Sequence, residues 1–295
     1  MCVFQFHIVN IHNSSFYFKR EKNKMGAIFS KLFANIIGVD VALNLLMWGH
    51  SSIFSTEKYF DMTGAITYWT MIITGLLQRD GNVSSRQILN SALTMLWSGR
   101  LGSFLVSRIG VDHVDVRFDY VRTRPLNFLV FWTFQMFWCF FTAFPLYTLL
   151  AKDDTKNEQG TTLDYGCWAL WAFGFAIEVI ADSQKRAFRR NPINKGKFIT
   201  SGLWSYSQHP NYAGEMIMAF AMWLSSSQSF TSTESLATFS SPIFVWYLLK
   251  HISGVVSMTI FCIYTYIYTH VYLYVICIYI GCDSNISIYI YHIIF

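Results

Sequence analysis

Apolar and polar positions fall into long blocks along this chain, with little strand-like alternation before its last segment. A helix that crosses a hydrocarbon core of about 30 Å needs roughly 20 mostly apolar residues. Measured against that length, Ile28–Trp48 is a span interrupted by Lys31 and Asp40, Met62–Gln78 is short but uncharged, and Gln87–Ser107 is apolar except for Arg100. Pro125–Ala151 is long, uncharged and aromatic, and Leu163–Ala181 runs directly into charges. Met216–Leu224 fades into Ser225-Ser226-Ser227, and Pro242–Met258 follows. The pattern predicts an all-α protein: a polytopic integral membrane bundle of about six to seven transmembrane helices.

Composition supports that reading. Hydrophobic residues make up 53% and charged residues 13%, about half the charged fraction of a soluble domain. This excludes a disordered chain, a coiled coil and an ordinary soluble enzyme. The net charge of +5 comes from basic residues between the apolar blocks, which points to membrane topology and not to nucleic acid. Loops after the first, third and fifth spans carry Lys58, Arg108, Arg117, Arg122, Arg124, Lys185, Arg186, Arg189, Arg190, Lys195 and Lys197. Those after the second and fourth carry only Arg79, Arg86, Lys152 and Lys156, so the first set is expected in the cytosol. None of the six cysteines forms a CxxC pair or has a histidine at metal-ligand spacing, so neither a metal site nor a disulfide framework is expected.

The two ends differ from the middle. In residues 1–24 the charges, Lys19 to Lys24, follow the apolar stretch, opposite to a signal peptide. We treat this part as an uncertain N-terminal extension, with Met25-Gly26 as an alternative start. Residues 25–255 form the membrane helical domain, of which 163–255 is the C-terminal cofactor region named below. Residues 256–295 are a low-complexity Ile/Tyr tail. Eight of the 17 tyrosines lie in the last 45 residues, a bias that reads either as a further span or as read-through of non-coding sequence.

The densest polar segment runs from Glu178 to Glu215. Glu178, Asp182, Arg186 and Arg189 fall at i, i+4, i+8 and i+11, on one helix face. Ionisable groups near membrane depth are costly and face a cavity or each other. This face is either a polar cavity for a charged ligand or a salt-bridge ladder at a helix end. Asn191-Pro192-Ile193-Asn194-Lys195-Gly196-Lys197-Phe198 is a turn-rich basic loop: a solvated positive-inside loop, or a phosphate-facing lip. Next come Tyr206, His209, Asn211 and Tyr212 around Pro210, at the start of another helix. Exposed amides at a helix start suit an anion, whereas the plainer reading is an interfacial aromatic belt.

Gly202-Leu203-Trp204 with His209-Pro210-Asn211-Tyr212-Ala213-Gly214-Glu215 resembles the signature of the steroid 5-alpha-reductase C-terminal-domain family. More closely, it resembles an uncharacterised reductase-like branch of membrane proteins reading Gly-Leu-Trp-x-Tyr-Ser-Arg-His-Pro-Asn-Tyr-Phe-Gly-Glu. Upstream, Glu178, Ala181-Asp182-x-Gln184-Lys185 and Phe188-Arg189 match as well, and the resemblance covers roughly residues 55 to 255. It implies a helical membrane fold of the endoplasmic reticulum type, with NADPH held between the C-terminal helices and open to the cytosol. It further implies reduction of a carbon–carbon double bond in a steroid or other lipid-like substrate. By motif position Asp182, Arg186 and Arg189 contact the cofactor, Tyr206 and Asn211 belong to the second motif, and Glu178 and Glu215 complete the cofactor-binding set. Tyr212 and His209, with Tyr206 beside them, are the candidates for the proton donor. No nucleic acid partner is expected.

Three departures from that family bear on the reading. Gln208 stands where relatives carry Arg, and Ala213 replaces an aromatic residue. After Ser253-Gly254-Val255 the pattern stops, although relatives continue with an acidic residue, spaced tyrosines and an Ile-Pro-like end that complete the cofactor site. Arg100, an arginine within a span that has Asp112, Asp115 and Asp119 near its end, is expected to pair with a carboxylate, with a cofactor phosphate as the alternative. Two further functions stay open. One is an S-adenosylmethionine-dependent membrane methyltransferase, because isoprenylcysteine carboxyl methyltransferases carry a similar Arg-His-Pro-x-Tyr segment on a related helical fold. The other is a non-catalytic, truncated member.

Overall fold

The computed structural model describes residues 31–78, 82–112, 118–152 and 160–252. The expectations for residues 1–24 and 256–295, for the family pattern at 253–255, and for Arg79, Arg108, Arg117 and Lys156 lie outside the described residues and side chains. All regular structure among the described residues is helical. The helices are α1 (Lys31–Ile53), α2 (Phe60–Leu77), α3 (Ser85–Asp112), α4 (Pro125–Thr142), α5 (Phe144–Leu150), α6 (Thr162–Arg190), α7 (Pro210–Ser227), α8 (Ser232–Thr238) and α9 (Ser240–Tyr247). Short 3-10 turns at Pro192–Asn194 and Gly202–Ser205 lie between α6 and α7. The chain divides into two units, Met1–Val245 and Trp246–Phe295. Of the second, the described part is the end of α9 and a π turn, Leu248–Ile252, where Lys250 lies 5.0 Å from the Trp246 ring.

Among the described residues two helices, α1 and α6, are long and apolar enough to cross a membrane, and the bent α4–α5 pair makes a third candidate. α3 is not among them, because it turns a polar face inward. Arg86, Gln87, Asn90, Ser91, Thr94 and Ser98 recur three or four residues apart and are all buried, which is the spacing of one helix face.

Contacts between helix ends set the direction of each long helix in the larger unit. At one end Asn35 of α1 donates to Gln78 after α2 (2.9 Å). At the same end Arg86 of α3 meets Asp164 of α6 and Ser229 after α7 (2.8 and 2.6 Å). Lys152 after α5 pairs there with Glu234 (2.5 Å). Partial burial pushes the Glu234 carboxyl up, but the hydrogen bonds from Lys152 and Thr231 outweigh this and hold it below its ordinary value. At the other end the Trp48 indole donates to the Pro125 carbonyl (2.9 Å), Arg122 approaches Glu57 (3.7 Å), and Arg186 donates to Ser107 (3.0 Å). α1, α2, α3, α4–α5, α6 and α7 therefore alternate in direction. The second end carries Lys58, Arg122, Arg124, Lys185, Arg186, Arg189, Arg190, Lys195 and Lys197, and we call it the basic end.

The Pro125–Ala151 block does not form one straight helix. It breaks at Ala143, where α4 and α5 meet at 57°. Pro145 lies in the first turn of α5, and its missing N–H and bulky ring interrupt the i to i−4 ladder. Buried hydroxyls take up carbonyls near the break: Tyr68 donates to Trp138 (3.2 Å), Tyr147 to Cys139 (3.3 Å) and Ser241 to Thr142 (2.8 Å). The core around this break holds Tyr68, Met71, Ile72, Leu146, Tyr147, Trp171 and Met218.

α6 and α7 approach most closely at two glycines. A methyl group at Gly174 would stand 2.7 Å from the Gly214 carbonyl, and one at Gly214 would stand 2.5 Å from the Gly174 carbonyl and 2.9 Å from the Glu178 amide. The obstructing atoms are backbone, so no rotamer change relieves them. Close helix contact through small residues is a standard way to pack helices in lipid. Gly214→Val is expected to separate the helices and destabilise the protein by about 3 kcal/mol or more, by overpacking. The check is the detergent-resistant folded fraction after heating, with a variant at the open Gly166 as control.

Candidate functional site

The two sequence motifs meet in space and explain each other. Gly202 has φ +64, and a Cβ there would lie 2.5 to 2.7 Å from the Gln184 side chain. Glycine is needed for both reasons: the left-handed backbone and the close approach of Gln184. With that space open, Gln184 Oε1 accepts from the Leu203 amide (3.0 Å), and the buried Trp204 indole donates to the Ala181 carbonyl (3.0 Å). Lys185 covers the Trp204 ring at 4.8 Å. Gly-Leu-Trp thus folds the inter-helix loop back onto the Ala181–Lys185 turn of α6. That places the start of α7 beside Asp182, and Asn211 Nδ2 donates to Asp182 Oδ1 (3.2 Å).

Arg100, from α3, closes the cluster. One guanidinium nitrogen reaches Glu178 Oε1 and another reaches Asp182 Oδ2, both at 2.5 Å. Glu178 and Asp182 are buried, and a forked guanidinium can satisfy both at once. Arg100 thus pairs with carboxylates, but with Glu178 and Asp182 on α6; Asp119 pairs with Arg122 instead, and Asp112 and Asp115 lie outside the described side chains. Two buried polar atoms around this cluster, Asn211 Oδ1 and His209 Nδ1, have no hydrogen-bond partner among the described residues, and the Trp97 indole lies within hydrogen-bond reach of the Glu178 carboxylate. Buried polar groups are partnered in native proteins by protein, water or ligand, so this is where a bound group would find both donors and acceptors.

In front of the cluster, between α3 and α6, lies a cleft of about 510 Å³ lined by Arg100, Ser103, Ser107, Asp182, Arg186 and Arg190, with Phe104 among its apolar contacts. The Arg186 and Arg100 guanidinium groups lie over the Phe104 ring at 4.8 and 5.3 Å. Cations over an aromatic face are held without losing their donors. The cleft is hence rich in guanidinium and hydroxyl donors.

The other expected site residues fall as follows. Arg189 is exposed on α6 and is not part of the cleft lining, whereas Arg190 is. Tyr206 is 90% exposed. His209 precedes α7 and stacks on Tyr212 (ring centroids 5.1 Å apart). Burial first, and the Lys185 charge second, hold His209 below its ordinary pKa, so the imidazole stays neutral to lower pH than a free histidine. Neither His209 nor Tyr212 lines the cleft. Glu215 is half-buried and lines a separate apolar pocket of about 40 Å³ with Thr94, Trp97, Trp171 and Met218. No group of acidic, histidine or cysteine side chains suited to a metal exists among the described residues.

Sequence reasoning placed Arg86 in a loop, but the structure puts it in the first turn of α3. Its guanidinium meets both oxygens of Asp164 (2.8 Å each). The Asp164 carboxylate also accepts from the Thr161 amide and hydroxyl, Ser225 and Gln228 (2.8 to 3.0 Å). This buried pair lies at the end opposite the cleft and joins α3, α6 and the end of α7.

A family model described as "Protein of unknown function (DUF1295)" matches residues 47–272. An uncharacterized protein of Schizosaccharomyces pombe, C594.04c, is 24% identical over 262 residues, covering 79% of this chain and 71% of its own length. A probable O-methyltransferase of Ustilaginoidea virens, ustE, is 39% identical over 56 residues, which are 19% of this chain and 18% of that protein. No solved structure matches.

Proposed function

The chain belongs to the DUF1295 family, and from its basic-end site we propose that it is a membrane-embedded NADPH-dependent reductase of the steroid 5-alpha-reductase-like type. Its α1–α7 passes span the endoplasmic reticulum membrane as six helices, with the basic end in the cytosol. The observation that carries the reading is the cleft between α3 and α6, where Arg186 and Arg190 stand beside the Arg100–Glu178–Asp182 cluster.

The residues fit the cofactor. Arg186 and Arg190, with Ser103 and Ser107, provide forked and hydroxyl donors for a dinucleotide's phosphates. Behind them Asn211 Oδ1, which has no partner among the described residues, provides an acceptor for a polar ring substituent. When bound, NADPH supplies a hydride. Asp182, held by Arg100 and Asn211, orients the site. Glu215, facing the apolar pocket, gives a proton to the second carbon of the double bond. The substrate gains one hydride and one proton, and the Glu215 carboxylate is reprotonated from solvent. We place the acid at Glu215 in preference to His209 and Tyr212 because it alone of the three lines the apolar pocket. The walls of that pocket, Trp97, Trp171, Met218 and Met222, suit an apolar, lipid-like group, and the pocket, about 40 Å³ as it stands, would have to widen for the substrate to enter.

Titration of NADPH, NADH and S-adenosylmethionine into the detergent-purified full chain is the test. Saturable NADPH binding is expected, weakened at least about 10-fold by each of Arg186→Ala and Arg190→Ala, the scale of a lost charge-assisted hydrogen bond. A second reading, an S-adenosylmethionine-dependent methyltransferase, is favoured by the 56-residue similarity to the probable O-methyltransferase. Saturable binding of S-adenosylmethionine without NADPH would replace the reductase reading with it.

A further inference from the structure

We propose that the loop from Arg189 to Tyr206 is a docking surface for anionic phospholipid headgroups in the leaflet at the basic end. Between Ser183 and Gly214 there are six lysines and arginines and no acidic residue. Lys185 covers Trp204 and Arg186 bonds Ser107, so both are engaged within the fold. Arg189, Arg190, Lys195 and Lys197 are exposed, and no carboxylate among the described residues forms an ion pair with them. They sit at and just beyond the C-terminus of α6, where the helix carbonyls favour cations.

Charge alone would describe any solvated loop. What separates this one is the apolar side chains among the charges: Ile193 is 73% exposed and Phe198 54% exposed. Water-exposed apolar side chains of this size have an unmet preference for hydrocarbon, and basic residues beside them match an anionic interface. The loop also starts directly after α6, one of the candidate membrane spans, so it is held near headgroup depth whether or not lipid binds. Gly202, Trp204 and Gln184 anchor its far end to α6, and Asn191 and Asn194 fix its near end through bonds to Ile193 and to the Phe188 carbonyl (3.1 and 2.9 Å). The loop is thus presented in a set shape, which lowers the ordering cost of binding. A soluble polyanion would gain the same charge contacts but nothing from Ile193 and Phe198, which is why lipid is the favoured partner.

The experiment is native mass spectrometry of the full chain in mild detergent with phosphatidylserine or phosphatidylcholine added. Preferential retention of phosphatidylserine is expected. Lys195→Gln with Lys197→Gln should lower that retention roughly 25-fold, at about 5-fold for each basic residue near an anionic surface. Ile193→Ser with Phe198→Ser should weaken both lipids equally. Neither residue pair lines the cleft, so NADPH affinity, measured in the same preparations, is expected to be unchanged, and a failure of lipid docking is separable from a failure of the reductase reading. Equal retention of the two lipids, or selectivity unaltered in the lysine double variant, overturns the proposal. Displacement of phosphatidylserine by millimolar inorganic phosphate would reassign the surface to free phosphate. Tighter capture of an RNA oligomer than of lipid would reassign it to a soluble polyanion.

Discussion

Asp164→Asn is expected to unfold a large share of the protein under conditions in which the parent stays folded. The Asp164 carboxylate is fully buried and is surrounded by donors from Arg86, Thr161, Ser225 and Gln228. An asparagine there offers one carbonyl and turns an NH2 group toward atoms that themselves donate. Arg86, also fully buried, would keep its charge without a counter-ion. Breaking such a pair from one side costs about 3 to 5 kcal/mol. The readout is the midpoint of thermal aggregation in detergent. The companion variant, Arg86→Met with Asp164→Leu, removes both charges and should recover most of the loss. Recovery should stop about 1 kcal/mol short, because Asp164 also closes the capping box with Thr161 at the start of α6. An Asp164→Asn protein as stable as the parent would show that the pair is not a clasp.

How this clasp escaped sequence reading is instructive. Arg86 sits before the apolar run of Gln87–Ser107, and in sequence it looks like a loop charge on the less basic side. Its partner is 78 residues away, and no local period links them. α3 itself was legible as a helix, but its inward polar face was not, since Gln87 and Asn90 are satisfied by distant partners, the Leu149 carbonyl and the Ser225 hydroxyl. The Pro125–Ala151 block hid its break for the opposite reason: an uncharged run reads as continuous, and only Pro145 marks the bend. The motif pair of α6 and α7 was easier, because its residues touch across a short loop. Even there the spacing argument held only in part. Glu178 and Asp182 turn inward to Arg100 and Arg186 reaches the cleft, but Arg189 points elsewhere and Arg190 lines the cleft in its place. The cleft follows the i, i+4 row of Asp182, Arg186 and Arg190, which steps about 40° around the helix at each turn, whereas Arg189 at i+11 returns to the direction of Glu178; the neighbouring helix decides which row is used.

Arg100→Gln is expected to abolish measurable NADPH binding and to destabilise the fold together, because in the proposed reading one guanidinium serves both. Its removal leaves Glu178 and Asp182 buried on adjacent turns of α6 without a counter-charge, with Glu215 on the facing helix. The stability loss expected for an uncompensated buried charge is again about 3 to 5 kcal/mol. Two further variants separate structure from function. Arg100→Lys keeps the charge but not the fork, so it can hold one carboxylate well and the other poorly; intermediate stability and binding weakened at least about 10-fold are expected. The triple variant Arg100→Gln, Glu178→Gln, Asp182→Asn carries no buried charge in the cluster and should fold nearly as well as the parent, since uncharged partners can exchange hydrogen bonds at far lower desolvation cost. It should still bind NADPH poorly, because the cleft has lost Arg100 and the oriented Asp182. A triple variant that regained both stability and parent-like binding would show that the cluster only braces α3 against α6, and the cofactor would then have to be held by Arg186 and Arg190 alone.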